Sequence, residues 1–121
     1  MSAEVTSIPS FKSAAKEYPV IGFLTESLGS IYQSSCWIGA SDEALKRGYS
    51  LICYAGGSLN KSSWDPYEPQ RNAIYNFVDV KLLKGLVITG SIGNFISPSD
   101  FQDFYNRFSS IPMVCLGPGM Q

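Results

Sequence analysis

A chain of 121 residues with 45% hydrophobic and 13% aromatic side chains has the length of one domain and enough apolar content for a packed interior, which excludes a disordered chain. Its net charge of −1 offers no basic field to phosphate backbones, so no nucleic acid is expected to bind through this segment. The absence of histidine excludes Ser-His-Asp and Cys-His nucleophile systems within the chain and removes the commonest metal ligand.

Met1 to Tyr18 is small and polar with scattered apolar residues, and reads as a leader or linker (residues 1–18) with a short helical turn around Phe11 to Lys16. Pro19 opens the ordered part, residues 19–121. The first apolar run, Val20 to Leu24, predicts a strand. A crossover helix over Ser30 to Arg47 follows, stopped by Gly48. Trp37, Ala40 and Ala44 share its sheet-facing side, whereas Ile38 and Leu45 fall to one side. These two either mark a subunit interface, making the chain a homodimer, or are ordinary exposed hydrophobes.

Leu51 to Tyr54 predicts the second strand, and Ala55 to Pro69 an irregular loop rich in glycine and proline. Trp64 and Tyr67 in that loop either cover a ligand or partner, or pack the loop onto the domain. A helix from about Glu68 to Val78 comes next, with Ile74, Phe77 and Val78 as its core face. Leu86 to Thr89 predicts the third strand. Ser97-Pro98-Ser99-Asp100 then starts a helix: Ser97 suits the cap, Pro98 the first position, and Asp100 can bond back to the cap. Phe101, Phe104, Tyr105 and Phe108 follow at helical spacing as core. Met113 to Leu116 predicts the last strand.

None of the four runs alternates with polar residues, as befits strands covered on both faces of a parallel sheet. Their alternation with crossovers predicts an α/β fold, Rossmann-like and three-layered, with a four-stranded parallel sheet of order 2-1-3-4. The fourth strand then lies on an edge, so the edge is expected to be paired in an oligomer or covered by more of a longer protein. Cys36, Cys53 and Cys115 show no metal or redox spacing and read as buried free thiols of a reducing compartment. No apolar run approaches the roughly 18 residues of a membrane span, and Met1 to Lys16 lacks a signal-peptide core. A cytoplasmic protein without a membrane partner, metal or cofactor is expected.

Ligands of open α/β sheets bind beyond the carboxyl ends of the strands, where the winding reverses. That places a crevice between the loop after strand one, Thr25 to Ser30 running on to Tyr32, and the loop Gly90 to Phe95 after strand three. Thr25, Glu26, Ser30, Tyr32, Ser91 and Asn94 are its candidate ligand-binding residues, suited to a polar small molecule of little charge. Alternatively, the Gly, Ser and Asn of these loops are plain turn formers, and Glu26 faces solvent. No catalytic residue emerges. Gly57 to Ser62 lacks the second glycine of a P-loop, no GxGxxG follows strand one, and Thr89-Gly90 stands where a phospho-receiver needs an acid. A small flavodoxin-like flavin protein is the alternative from another class, with Glu26 an awkward neighbour for its phosphate.

The ordered set Pro19-Val20-Ile21-Gly22-Phe23-Leu24, Ser30-Ile31-Tyr32, Gly39 and Lys46-Arg47-Gly48-Tyr49-Ser50-Leu51 resembles the opening of the LacI/GalR-type regulatory domain, a type I periplasmic-binding-protein-like fold. Lys84-Gly85-Leu86-Val87-Ile88 and Ser110-Ile111-Pro112-Met113-Val114 resemble the approaches to later strands of that family. Gly56-Gly57, the stretch Glu68 to Tyr75, and Gly93 to Pro98 look closer to a branch in which this domain is the sensor of histidine kinases or diguanylate cyclases. The resemblance spans residues 19–117. It implies the N-terminal lobe of a two-lobed sensor whose cleft holds a sugar or nucleobase, with Ser30, Tyr32 and Ser91 on the cleft wall and Tyr32 stacking on the ligand. Ser30 stands in place of the family's usual Asn, and Gln33 in place of its second Phe. A LacI-family transcription regulator is the alternative parent.

Overall fold

A computed structural model describes residues 18–60 and 66–117. The leader with its turn at Phe11 to Lys16, and Trp64 in the long loop, lie outside the described residues. The elements run β1 (Val20–Thr25), α1 (Ile31–Lys46), β2 (Ser50–Ala55), α2 (Glu68–Arg71) continuing into a 3-10 helix (Asn72–Phe77), β3 (Leu83–Thr89), a second 3-10 helix (Gly90–Gly93), α3 (Pro98–Asn106) and β4 (Met113–Leu116). All strand pairs are parallel and the sheet order is β2-β1-β3-β4, as the apolar runs predict.

The helices begin and end where their capping residues require. Ser30 caps α1 by accepting from the Gln33 backbone N–H at 3.1 Å. Gly48, at φ +79°, reverses the chain so that its N–H donates to Leu45 and that of Tyr49 to Ala44. Those two bonds close the left-handed terminal loop that glycine adopts without a Cβ clash. Ser97 caps α3 in the same manner through the Asp100 N–H at 3.0 Å, with Pro98 at the first position.

One face of the sheet carries the core. Leu24, Leu86 and Ile88 meet Tyr75 from the 3-10 helix and Phe101, Phe104 and Phe108 from α3. Phe104 is edge-on to both Tyr75 and Phe108. On the opposite face α1 sets Trp37 edge-on to Phe23, with ring centroids 5.5 Å apart. Coverage there is partial: Val87 lines an open groove and Val114 of the edge strand β4 is 55% exposed.

The second crossover departs from the expected helix over residues 68–78. Only Glu68–Arg71 is α-helical; Asn72–Phe77 winds as a 3-10 helix. Three residues per turn align positions 72, 75 and 78, whereas an α-helix aligns 74 with 77 and 78. Tyr75 is therefore buried, Ile74 and Val78 are half-buried, and Phe77, expected in the core, points outward at 77% exposure. The three cysteines are unpaired and half-buried rather than fully enclosed. Burial pushes the Cys53 and Cys115 thiols above their ordinary value.

Candidate functional site

The site sits at the carboxyl ends of β1, β2 and β3. Because β3 lies on the far side of β1 from β2, the connection leaving β2 must cross over the end of β1. Residues Gly56 to Leu59 make that crossing at close range. The Gly57 N–H donates to the Glu26 carbonyl at 2.9 Å and the Leu59 N–H to the Ile92 carbonyl at 2.9 Å. The crossing passes directly over the Tyr75 ring: a Cβ on Gly56 would lie 2.6–2.8 Å from ring carbons, too close for any residue but glycine. The Tyr75 hydroxyl fixes the arrangement from below, 2.6 Å from the Gly57 carbonyl and 3.1 Å from that of Thr25. Asn72 donates from its side-chain amide to the carbonyls of Gly56 and Ser58.

Above this floor, a polar network joins four separate segments. The Glu26 carboxylate accepts from Gln33 Nε2 at 2.6 Å and, through its other oxygen, from Ser58 Oγ at 3.0 Å. Gln33 Oε1 accepts from Ser27 Oγ at 3.1 Å and Ser30 Oγ at 2.8 Å. Ser58 Oγ also lies 3.3 Å from the Ser91 carbonyl. Thr89 Oγ1 links Ser91 Oγ to Thr25 Oγ1, both at 3.2 Å. Among the described residues every buried side-chain nitrogen or oxygen has a hydrogen-bond partner. The low local dielectric strengthens such bonds and makes each costly to break singly.

The expected site residues divide into those inside this network and those at its rim. Thr25 is fully buried, donating to the Ser27 carbonyl, and so lies beneath the crevice. Glu26 is drawn inward and paired rather than turned to solvent. Ser30 and Ser91 belong to the network but are not buried in it: Ser30 is exposed and Ser91 half-buried. Tyr32 and Asn94 are exposed at the rim. The Tyr32 ring reaches from the first turn of α1 toward the end of β4, its hydroxyl 3.7 Å from where a Cβ on Gly117 would be. Proximity to the Cys36 thiol, one turn along the helix, raises the Tyr32 phenol above its usual value. Tyr67, the described aromatic of the long loop, is 70% exposed.

Sequence reasoning missed Ser58, Gln33 and Tyr75 as builders of this place. Ser58 lies on the strand-two loop, which a two-loop picture of the crevice leaves out. The signal available was the sheet order itself, since order 2-1-3 obliges that loop to cross strand one.

A hollow lies toward the amino ends of the strands. It is a groove of about 240 Å³ beneath α1, lined by Ile21, Ala40, Ala44, Leu51 and Val87, with the Glu43–Arg47 ion pair at its rim. Its wall is apolar, so the groups that could orient a polar ligand are at the crevice instead. Among the described residues no group of three or more Cys, Asp or Glu side chains could hold a metal ion, and no helix is long and apolar enough to cross a membrane. The sequence matches no family model, no curated protein and no solved structure.

Proposed function

We propose that this chain is a small-molecule-sensing regulatory lobe without catalytic chemistry of its own. The observation that carries this reading is the network of hydroxyl and amide groups gathered at the point where the winding reverses, with an exposed tyrosine at its edge. Ser30, Tyr32, Ser91 and Asn94 are the ligand-facing groups, whereas Thr25, Glu26, Gln33 and Ser58 hold the wall rigid. The ligand class is a polar, uncharged ring such as a sugar or nucleobase, stacked on Tyr32. By the LacI/GalR-type resemblance, a second lobe elsewhere in a cytoplasmic signalling protein closes over it. Closure shifts a homodimer interface that includes Ile38 and Leu45, and the output is a histidine kinase or diguanylate cyclase, or a DNA-binding module in a transcription regulator. A flavin phosphate is disfavoured, because the Glu26 carboxylate stands among the hydroxyls that would receive it.

The test is an amide-resolved NMR titration of the 121-residue chain with monosaccharides, nucleobases and nucleosides at about 10 mM, a concentration that detects even millimolar binding. The expected result is a saturable shift at Ser30, Tyr32, Ser91 and Asn94 with at least one compound, lost in Tyr32→Ala. Saturable shifts confined to other parts of the chain, or none with any compound, would overturn the reading.

A further inference from the structure

The face of the sheet that carries α1 is only half covered. On the opposite face the 3-10 helix and α3 close over β1, β3 and β4. Here α1 lies over β1 and β2, and the β3–β4 half is open. Val87 lines the groove beside α1, and Val114, its partner across the β3–β4 ladder, is 55% exposed. Parallel sheets are ordinarily covered on both faces. The side of α1 along the open half is built of small residues. Ala40 and Ala44 line the groove, and Gly39, one turn before Glu43 at the rim, continues the same side. Glycine weakens a helix interior relative to alanine. Nothing among the described residues calls for one here: the backbone of Gly39 is not left-handed, and a Cβ built on it meets no atom within 4 Å. The bare position leaves room for an element that approaches the helix from outside.

The place and shape of the groove select its occupant. At about 240 Å³ with an apolar wall, it is smaller than the roughly 300–1,000 Å³ of small-molecule pockets and suits inserted side chains. Residues 1–17, outside the described part, join the fold at its edge. They lead through Tyr18 to Pro19, whose carbonyl accepts from the Ser50 N–H at 2.8 Å, and Ile21, two residues on, is part of the groove floor. In their sequence Phe11, Ala14 and Ala15 recur at helical spacing, with Ser10 before them as a start signal and Pro19 after them as a stop. Residues 11–17 make about 10 Å of helix. From Pro19 to Phe23, the level of Val87, is about 13 Å along β1. A helix turning back at Pro19 therefore brings Phe11 near Val87 and runs parallel to α1. Charge agrees with this placement. With Phe11, Ala14 and Ala15 on the sheet, helical spacing turns Lys12 and Lys16 toward α1, where Glu43 stands at the rim.

We propose that residues 10–17 cover the open half of this face as a helix parallel to α1, with Phe11 against Ala40 and Val87, Ala14 and Ala15 over Ile21, and Lys16 toward Glu43. The leader is then part of the domain, completing its third layer, rather than a linker to it. The proposal is independent of the crevice, which lies at the other end of the strands.

Nuclear Overhauser contacts in the 121-residue chain, with methyl and aromatic labels, test it. The Phe11 ring is expected to contact the methyl groups of Ala40 and Val87, and an isotope-filtered mixture of differently labelled chains to show no such contact between copies. Phe11→Ser is expected to lower the folding equilibrium constant at least about tenfold in urea denaturation, through the loss of one partly buried ring. Gly39→Leu is expected to abolish the Phe11 contacts while leaving those between Tyr75 and Phe104 intact. Without a cover, that variant only gains helix propensity. Phe11 contacts to the exposed Phe77 or Leu82 instead, contacts only between copies, or none from residues 10–17 to any other part of the chain would overturn the proposal. So would a Phe11→Ser folding constant within about twofold of wild type, or Phe11 contacts that survive Gly39→Leu.

Discussion

Removing one oxygen atom distinguishes the 3-10 register of the second crossover from an α-helical one. In Tyr75→Phe the ring keeps its place against Phe104 and over Gly56, but the hydroxyl 2.6 Å from the Gly57 carbonyl is gone. The Thr25 carbonyl keeps the Gly56 N–H as a donor, so the loss falls on Gly57. Leaving a buried acceptor short of its donor costs about 1–3 kcal/mol. For a domain of this size that is a fall in melting temperature of about 4–12 °C. Phe77→Ala removes a far larger group, yet at 77% exposure it is expected to stay within about 0.5 kcal/mol of wild type. An α-helix over residues 68–78 reverses the order: Phe77→Ala then costs about 3–5 kcal/mol, as in a core. Urea denaturation of both variants at constant m-value decides. A Tyr75→Phe change below about 0.5 kcal/mol, or a Phe77→Ala change above about 2 kcal/mol, refutes the register argument.

Glu26→Gln exchanges a carboxylate that accepts from two side chains for an amide that can accept on one side only. It is expected to cost about 1.5–3 kcal/mol in urea denaturation and to broaden the Ser58 and Gln33 signals in NMR spectra. Ser97→Ala removes the cap of α3 and is expected to cost about 1 kcal/mol in the same assay, with Ser97→Asp recovering most of it. Because burial raises the Cys53 and Cys115 thiols, the unfolded chain loses these protons first. Their contribution is complete below the ordinary thiol value of about 8.5 and is lost as pH rises through the folded-state values. Under reducing conditions, wild type is expected to lose more stability between about pH 8 and 10 than a variant with both cysteines replaced by alanine. Equal losses would remove these thiols from the pH dependence.

The sheet was legible because each strand is a short apolar run bounded by turn residues, and the crossovers leave few ways to wind it. The caps were legible because Ser30, Gly48, Ser97 and Pro98 act locally, through bonds to residues at most a few positions away. The second crossover was not, because periodicity assumes a winding. Ile74, Phe77 and Val78 make a good α-helical face, and only tertiary bonds from Asn72 and Tyr75 to the crossing loop fix the tighter turn. At the site, the loop positions of Glu26, Ser30 and Ser91 followed from topology. Which of them turn inward did not, because that depends on Ser58, which is 32 residues from Glu26 along the chain. Ile38 and Leu45 read from the sequence as off-face hydrophobes, and both are exposed in the structure.

The passage of residues 56–59 over β1 has a kinetic side. β1 is flanked by β2 and β3, covered by helical elements, and closed at its end by a segment bonded to both neighbouring loops. That closure relies on β2 and β3 being in register on either side, and opening it breaks the bonds donated to Glu26 and Ile92 and the one donated by Tyr75. The wall is therefore expected to yield as one unit. Under the proposed function, a molecule seated on it would act as a bolt across the central strand, and its arrival would be read in the slowing of hydrogen exchange along β1.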